Sequence, residues 1–186
     1  MMTAFQAPHP DLVAARWKGG AQTPKDIVLH STVTPCDFGW ARKVAHFFAT
    51  EDNKTSAHYI VDPGEVIQCV GDHTVAYHCG FNQDSIAVEM CEFPSLLNLA
   101  RWLSPKHIMM RKRAQRLVAR LCLAYDIPPY YRGVKARLDG KHGVTTHNVM
   151  SKAFKQSTHW DPGAWPRRLF MRGVRKRIEV LKARHG

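Results

Sequence analysis

The chain has 186 residues, 45% hydrophobic and 23% charged, the proportions of an ordinary globular domain able to bury a core without disulfides or a structural metal. Lys and Arg outnumber Asp and Glu by 27 to 15, and the resulting net charge of +12 favours polyanionic partners such as nucleic acid, anionic lipid headgroups or acidic wall polymers without bearing on the fold. No stretch approaches the roughly 18 apolar residues of a membrane span, MMTAFQAPHPDLVAARW lacks the basic and apolar regions of a signal peptide, and five cysteines without C-x-x-C spacing indicate neither a disulfide framework nor a cysteine zinc knuckle.

In chain order, short apolar runs punctuated by turn residues come first: DIVLHST, AHYIVD, EVIQCV, VAYHC and SIAVEMC, all read as strands. Pro63-Gly64 between the second and third predicts a hairpin. Between the first and second lies FGWARKVAHFFATED, where Trp40, Val44, Phe47 and Phe48 recur at helical spacing and predict a crossing helix. A second helix is marked by Ser104 as N-cap, Pro105 at the first helical position and Ile127-Pro128 beyond its end. Its inner stripe is Ile108, Leu117, Val118, Leu121 and Cys122, which leaves Arg111, Lys112, Arg116 and Arg120 in water.

YYRGVKARLDGKHG reads as a polar, irregular connection, and Val144 to Thr146 as one more strand that delivers His147 to its end. THNVMSKAFKQSTHWDPG follows, with His147, His159 and Asp161 beside a Pro162-Gly163 turn. In the last segment Phe170, Val174, Ile178 and Leu181 stand at helical spacing among basic residues, a pattern of either a packed terminal helix or a surface-binding one. No repeat or linker divides the chain.

Among the eleven histidines, position singles out a few. His30 and His147 each end a strand, where sites in α/β sheets are built. With a third oxygen or nitrogen ligand from the loop around Asp161 they form the open, three-ligand set of a catalytic zinc, whose bound water has a pKa near 7. Such a site needs a proton carrier. Glu89 lies within an otherwise apolar strand, a costly place for an acid unless it is paired in a salt bridge or functional. His78 and His58, on strand segments, are placed to line a pocket. His9, His46, His107 and His185 read as surface or polar-face residues, and His73 and His142 are left unassigned.

These elements, in this order, resemble the zinc-dependent N-acetylmuramoyl-L-alanine amidases of the type 2 amidase and peptidoglycan recognition protein superfamily, over about residues 26–166. The family's strand-ending ligand histidine is matched by His30 in IVLHST, its Ser-x-His-aromatic strand by SAHYIVDPGEV, its A-W/Y-H-x-G element by Ala76 to Gly80, its S-I-x-[IV]-E strand by Ser85 to Glu89, and its final histidine and D-P-G turn by His147 and Asp161. The likeness is greatest to amidase modules of mycobacteriophage and related actinophage endolysins, which share the S-T-H-x-D-P-G ending. Where many cellular members carry an oxyanion-stabilising lysine, this chain has His159. Where some members use a cysteine ligand and a nearby tyrosine, it has Asp161 and Ala57.

The resemblance implies a single α/β domain with a mixed β-sheet flanked by helices. Zinc is then held by His30, His147 and Asp161, with Glu89 as general base and proton donor, His159 as oxyanion partner, and His78 and His58 near the substrate. It further implies hydrolysis of the amide between N-acetylmuramic acid and L-alanine in bacterial peptidoglycan. The expected organisation is an N-terminal extension over residues 1–25 packed on the domain, a catalytic domain over 26–166 and a basic helix over 167–186. The enzyme is expected to be a monomer, made in the host cytoplasm without a signal peptide and reaching the wall on release, with anionic wall polymers as further partners of its basic surface. A non-catalytic peptidoglycan-binding module is the alternative. Nucleic acid is not expected as a partner, since zinc-finger spacing, RNA-recognition aromatics and the zinc deaminase signature are all absent.

Overall fold

The computed structural model describes residues 11–12, 14–50 and 52–185, so the expected N-terminal extension lies outside the described residues at 1–10 and 13. In chain order the elements are β1 (Asp11–Leu12), β2 (Lys18–Ala21), β3 (Asp26–Ser31), α1 (Trp40–Phe48), β4 (Tyr59–Val61), β5 (Val66–Gln68), β6 (Thr74–Ala76), β7 (Ser85–Met90), a 3-10 turn (Ala100–Leu103), α2 (Pro105–Ala124), α3 (Val134–Leu138), β8 (Val144–Thr146), α4 (His147–Phe154) and α5 (Arg167–His185). Six strands form one mixed sheet in the order β1-β5-β4-β7-β3-β8, and β2 pairs with β6 in a separate two-stranded arm. The expected α/β class, a mixed sheet flanked by helices, is the one observed.

The central strands β3 and β7 run parallel, as do β3 and β8. Both are covered on two sides, which is why DIVLHS and SIAV read as continuous apolar runs rather than alternating ones. Alternation nevertheless divides their faces. Ile27, Leu29, Ile86, Val88 and Met90 join one cluster with Met110, Leu117, Val118 and Leu121 of α2 and Phe170, Val174 and Ile178 of α5. Val28 points the other way, into a small cluster with Cys79 and Met150 of α4. The four cysteines at 69, 79, 91 and 122 are buried and free, and burial pushes each thiol up to about 12.

Local signals account for the turns. Asp62 Oδ1 accepts from the backbone N–H groups of Gly64 and Glu65 (2.6 and 2.8 Å), closing the β4–β5 hairpin at Pro63-Gly64. Ser104 caps α2, its side chain accepting from His107 N. Other expectations are corrected. Arg111 is buried, its Nη1 donating to Trp102 O at 3.2 Å, because the 3-10 turn folds back over that face of α2. The helical stripe of α1 splits: Phe48 is buried with Ala41 and Ala45, whereas Trp40, Val44 and Phe47 wall an open cleft. VAYHC is a strand only over Thr74–Ala76, and His78 lies past its end. The polar connection contains α3, and His147 opens a helix instead of closing a strand.

His58 is also corrected. Expected beside a substrate, it is fully buried, with Nδ1 accepting from Ala87 N (3.0 Å) and Nε2 donating to Thr74 O (2.9 Å). It therefore ties the β6 arm to β7 and has no nitrogen left for a ligand. Burial lowers its pKa to about 4, only partly opposed by the bond to Thr74. The unfolded chain takes up this proton near pH 6.5 and the folded chain only near 4. The stabilisation is thus fully present above pH 6.5 and falls through that window, by about 3 kcal/mol in total. Urea unfolding at pH 7, 5.5 and 4.5 should show a shallower loss of stability in His58→Gln than in the parent; parallel slopes would remove His58 from the account.

Candidate metal centre

The parallel register assembles the site. His30 pairs with Glu89 on β7, and one residue earlier Leu29 pairs with Thr146 on β8. Thr146 is the N-cap of α4, its Oγ1 accepting from Val149 N, so His147 is held at the first helical position beside His30. The Asp161-Pro162-Gly163 turn, whose first peptide is cis, is tied from both sides. Asn148 N donates to Asp161 O (3.0 Å), and Ala164 N to Ser95 O (2.7 Å). Gly163 has φ +67°, and a Cβ there would meet Ser95 O at 2.5 Å, so only glycine fits.

Three donor side chains face one another as a result. His30 Nδ1 lies 3.1 Å from His147 Nδ1 and 3.4 Å from Asp161 Oδ2, and His147 Nδ1 lies 3.0 Å from Asp161 Oδ1. Ligands about 2.0–2.1 Å from a tetrahedral zinc are separated by roughly 3.3–3.4 Å, so these spacings fit a metal with little adjustment. The donor set, two imidazoles and a carboxylate, all buried, has the chemistry of an open zinc site.

The protonation states agree with that role. Burial pushes Asp161 up, yet its contacts with His147 and His30 outweigh it and hold the carboxyl well below the usual range. His30 is lowered, chiefly by burial, and stands neutral with a lone pair to give. Its other nitrogen sets the tautomer through a chain with one consistent direction. His30 Nε2 donates to His78 Nδ1 (3.0 Å), His78 Nε2 to Ser85 Oγ (3.0 Å), and Ser85 Oγ to Asn82 O (2.8 Å). His147 Nε2 is oriented in the same way by Ser157 Oγ at 2.9 Å.

Glu89 stands at the edge of this cluster, Oε1 3.9 Å from His30 Nδ1 and Oε2 buried without a hydrogen-bond partner. Desolvation, and then the charge of Asp161, raise its pKa well above the ordinary carboxyl value. No arginine or lysine pairs with it among the described residues. His159 is exposed and stacks on His147 with centroids 4.8 Å apart, its Nδ1 3.9 Å from Asp161. Together they border a cavity of about 490 Å3, whose far wall is Trp40, Val44, Phe47 and Tyr77, with Lys43 over the Trp40 ring.

This wall was not expected from the sequence, where Trp40 and Phe47 counted only toward a helical stripe. Nor was Glu92, which is buried, accepts from Ser31 Oγ (2.6 Å) and pairs with Arg101 Nε (2.7 Å), while Arg101 donates to Pro162 O. This pair straps the end of β3 to the turn that carries Asp161. Of the remaining histidines, His142 pairs with Asp26 and His73 packs on Tyr125.

Comparison with known proteins gives a concordant result. The family described as N-acetylmuramoyl-L-alanine amidase matches residues 20–164. Among solved structures the chain resembles the Staphylococcus aureus hydrolase AmiA, in complex with its ligand, with TM-score 0.73 and 16% identity over 96% of this chain and 87% of that one. It also resembles a point mutant of PlyL (0.62, 20% identity, 90% and 99% covered) and a mutant endolysin from Bacillus subtilis (0.58, 22%, 87% and 92%). No curated protein sequence matches.

Two substitutions separate ligand from support. Asp161→Ala should abolish tight divalent-metal binding in chelator competition. His78→Phe should retain binding but weaken it about 10- to 100-fold, the usual effect of removing a group that orients a ligand. Unchanged affinity in Asp161→Ala would remove it from the ligand set.

Proposed function

The chain belongs to the N-acetylmuramoyl-L-alanine amidase family, and from that premise we propose that it is a zinc hydrolase of the phage endolysin type, cleaving the amide between N-acetylmuramic acid and L-alanine in bacterial peptidoglycan and so lysing the host. The observation that carries this reading is Glu89, with its Oε2 buried and unpartnered, beside a three-residue cluster at the base of an open cleft. His30, His147 and Asp161 would hold zinc, which would supply Lewis acidity toward a carbonyl oxygen and toward water at neutral pH.

The protein's own groups do the rest. Glu89, with no competing partner and an elevated pKa, takes the proton of the attacking water and returns it to the departing L-alanine amine. His159, free at the mouth and held in place by stacking on His147, donates to the oxyanion of the tetrahedral intermediate. The aromatic faces of Trp40, Phe47 and Tyr77 receive the glycan and stem peptide, and exclude water on one side. His78 lines the cleft and also orients His30. On this reading the chain is made in the host cytoplasm, reaches the wall on release at lysis and acts as a monomer. A non-catalytic binding module would have no use for an acid kept unpaired at such cost, which weighs against that alternative.

Purified peptidoglycan, assayed for new L-alanine amino groups, tests these roles. Glu89→Gln should keep its zinc and lose at least about 100-fold in kcat, and His159→Ala should keep its zinc and lose about 100- to 1,000-fold. Metal removal should abolish activity and added Zn2+ restore it. Full activity in Glu89→Gln would sink the proton-transfer assignment, and loss of metal in His159→Ala would make that residue a ligand.

A further inference from the structure

The far side of the sheet carries an unusual concentration of charge. Eight of the 19 residues of α5 are Lys or Arg against one acid, Glu179, and α2 adds six basic residues and no acid. Where the two helices pack, Arg116 and Arg120 of α2 face Lys176, Arg177 and Arg184 of α5 across a cavity of about 500 Å3, with Val180 and Leu181 between them. No acid lines this cleft, and none of the five cations joins an ion pair among the described residues. Arg177 gives one N–H to Gly173 O of its own helix at 3.1 Å, while its Nε is buried with no acceptor at all. Burial, and then the charge of Arg116, lower its pKa. Like charges are thus crowded together, an arrangement that an anion entering the cleft would relieve.

We propose that this cleft is a second binding site, which holds a linear phosphodiester polymer of the bacterial wall on the face of the sheet opposite the catalytic cleft. Guanidinium forks match phosphate oxygens in pairs, so the arginine-rich lining selects phosphate over a diffuse negative surface. The cations are spaced for a repeating charge. Arg116 and Arg120 are about 6 Å apart along their helix, and Lys176 and Arg184 about 12 Å apart along theirs. These five cations line a furrow between two packed helices. A flat membrane surface does not reach into a furrow, whereas a single flexible polymer does. Assigning that polymer to the wall rests on the peptidoglycan amidase reading. Its consequence is tethering: the polymer is gripped behind the sheet while the opposite side stays free for the glycan.

Poly(glycerol phosphate) is the probe. Arg116→Gln/Arg120→Gln/Arg184→Gln removes three exposed charges, and Lys18→Gln/Lys141→Gln/Lys152→Gln removes three elsewhere. The first triple variant should bind the polymer at least tenfold more weakly than the parent and the second less than twofold more weakly, with parental affinity itself falling at least tenfold from 50 to 200 mM salt. Both should hydrolyse a soluble muramyl peptide with unchanged kcat/KM, and walls stripped of phosphodiesters should retain the parent no better than the first triple variant. Equal losses in the two variants would reduce the effect to net charge and overturn the proposal. So would tighter binding of duplex DNA or anionic vesicles through the same three arginines. A parent chain that binds the polymer but does not cleave the muramyl peptide would overturn the amidase reading and leave the cleft standing.

Discussion

The structure depends on the register of β3 between two parallel neighbours. With Ile27 opposite Ile86 on one side and Val144 on the other, His30 falls beside Glu89 and just past Thr146, where α4 begins. A slip of one residue would reverse every side chain of β3, bringing Leu29 to the metal centre and turning His30 into the apolar layer under α2. That layer fixes the register. Ile27 and Leu29 have no exposed surface, and moving them to the polar side would forfeit about 1.5–3 kcal/mol for each side chain.

Buried ion pairs pin the two ends of the same strand. At its start Asp26 accepts from Arg137 (2.7 Å), His142 (2.9 Å) and Gly143 N (2.8 Å), which also secures the entry to β8. At its end Ser31 gives its hydroxyl to Glu92 and its N–H to Asp161 Oδ2 (3.2 Å). Since Arg101 bridges Glu92 to Pro162 O, the carboxylate of Asp161 is placed by three segments far apart in sequence. Breaking such a pair leaves an uncompensated buried charge, so the strap acts as a positional lock more than as a source of net stability.

Much of this was legible in the sequence. His30, His147, Asp161 and Glu89 stand out because strand ends, a D-P-G turn and an acid in an apolar strand are local features, and the structure brings these four together. The hairpin at Pro63-Gly64 and the Ser104 cap were legible for the same reason. What failed was anything decided by neighbours distant along the chain. Helical spacing cannot distinguish a stripe that faces a core from one that faces a cleft, so Trp40 and Phe47 gave no sign that they line one. Arg111 reads as solvated until the 3-10 turn is seen to cover it. His58 reads as a pocket residue until both its nitrogens are found to serve backbone partners on other strands.

The last of these explains the histidine content. The site-facing residues of β7 before Glu89 are Ser85 and Ala87, and both are small because imidazoles occupy the space above them. His58, His78 and His30 follow one another at centroid distances of 6.3 and 5.1 Å, edge to face, in a layer that other folds would fill with aliphatic side chains. Burial lowers the pKa of all three, so they stand neutral, each with one nitrogen to donate and one to accept. A neutral ring satisfied at both nitrogens avoids the penalty of an unpaired buried polar group and is held in a single tautomer. Stiffness of that kind is unavailable to leucine or valine, and a metal ligand needs it: Nδ1 of His30 faces the cluster because every hydrogen bond behind it already has a direction.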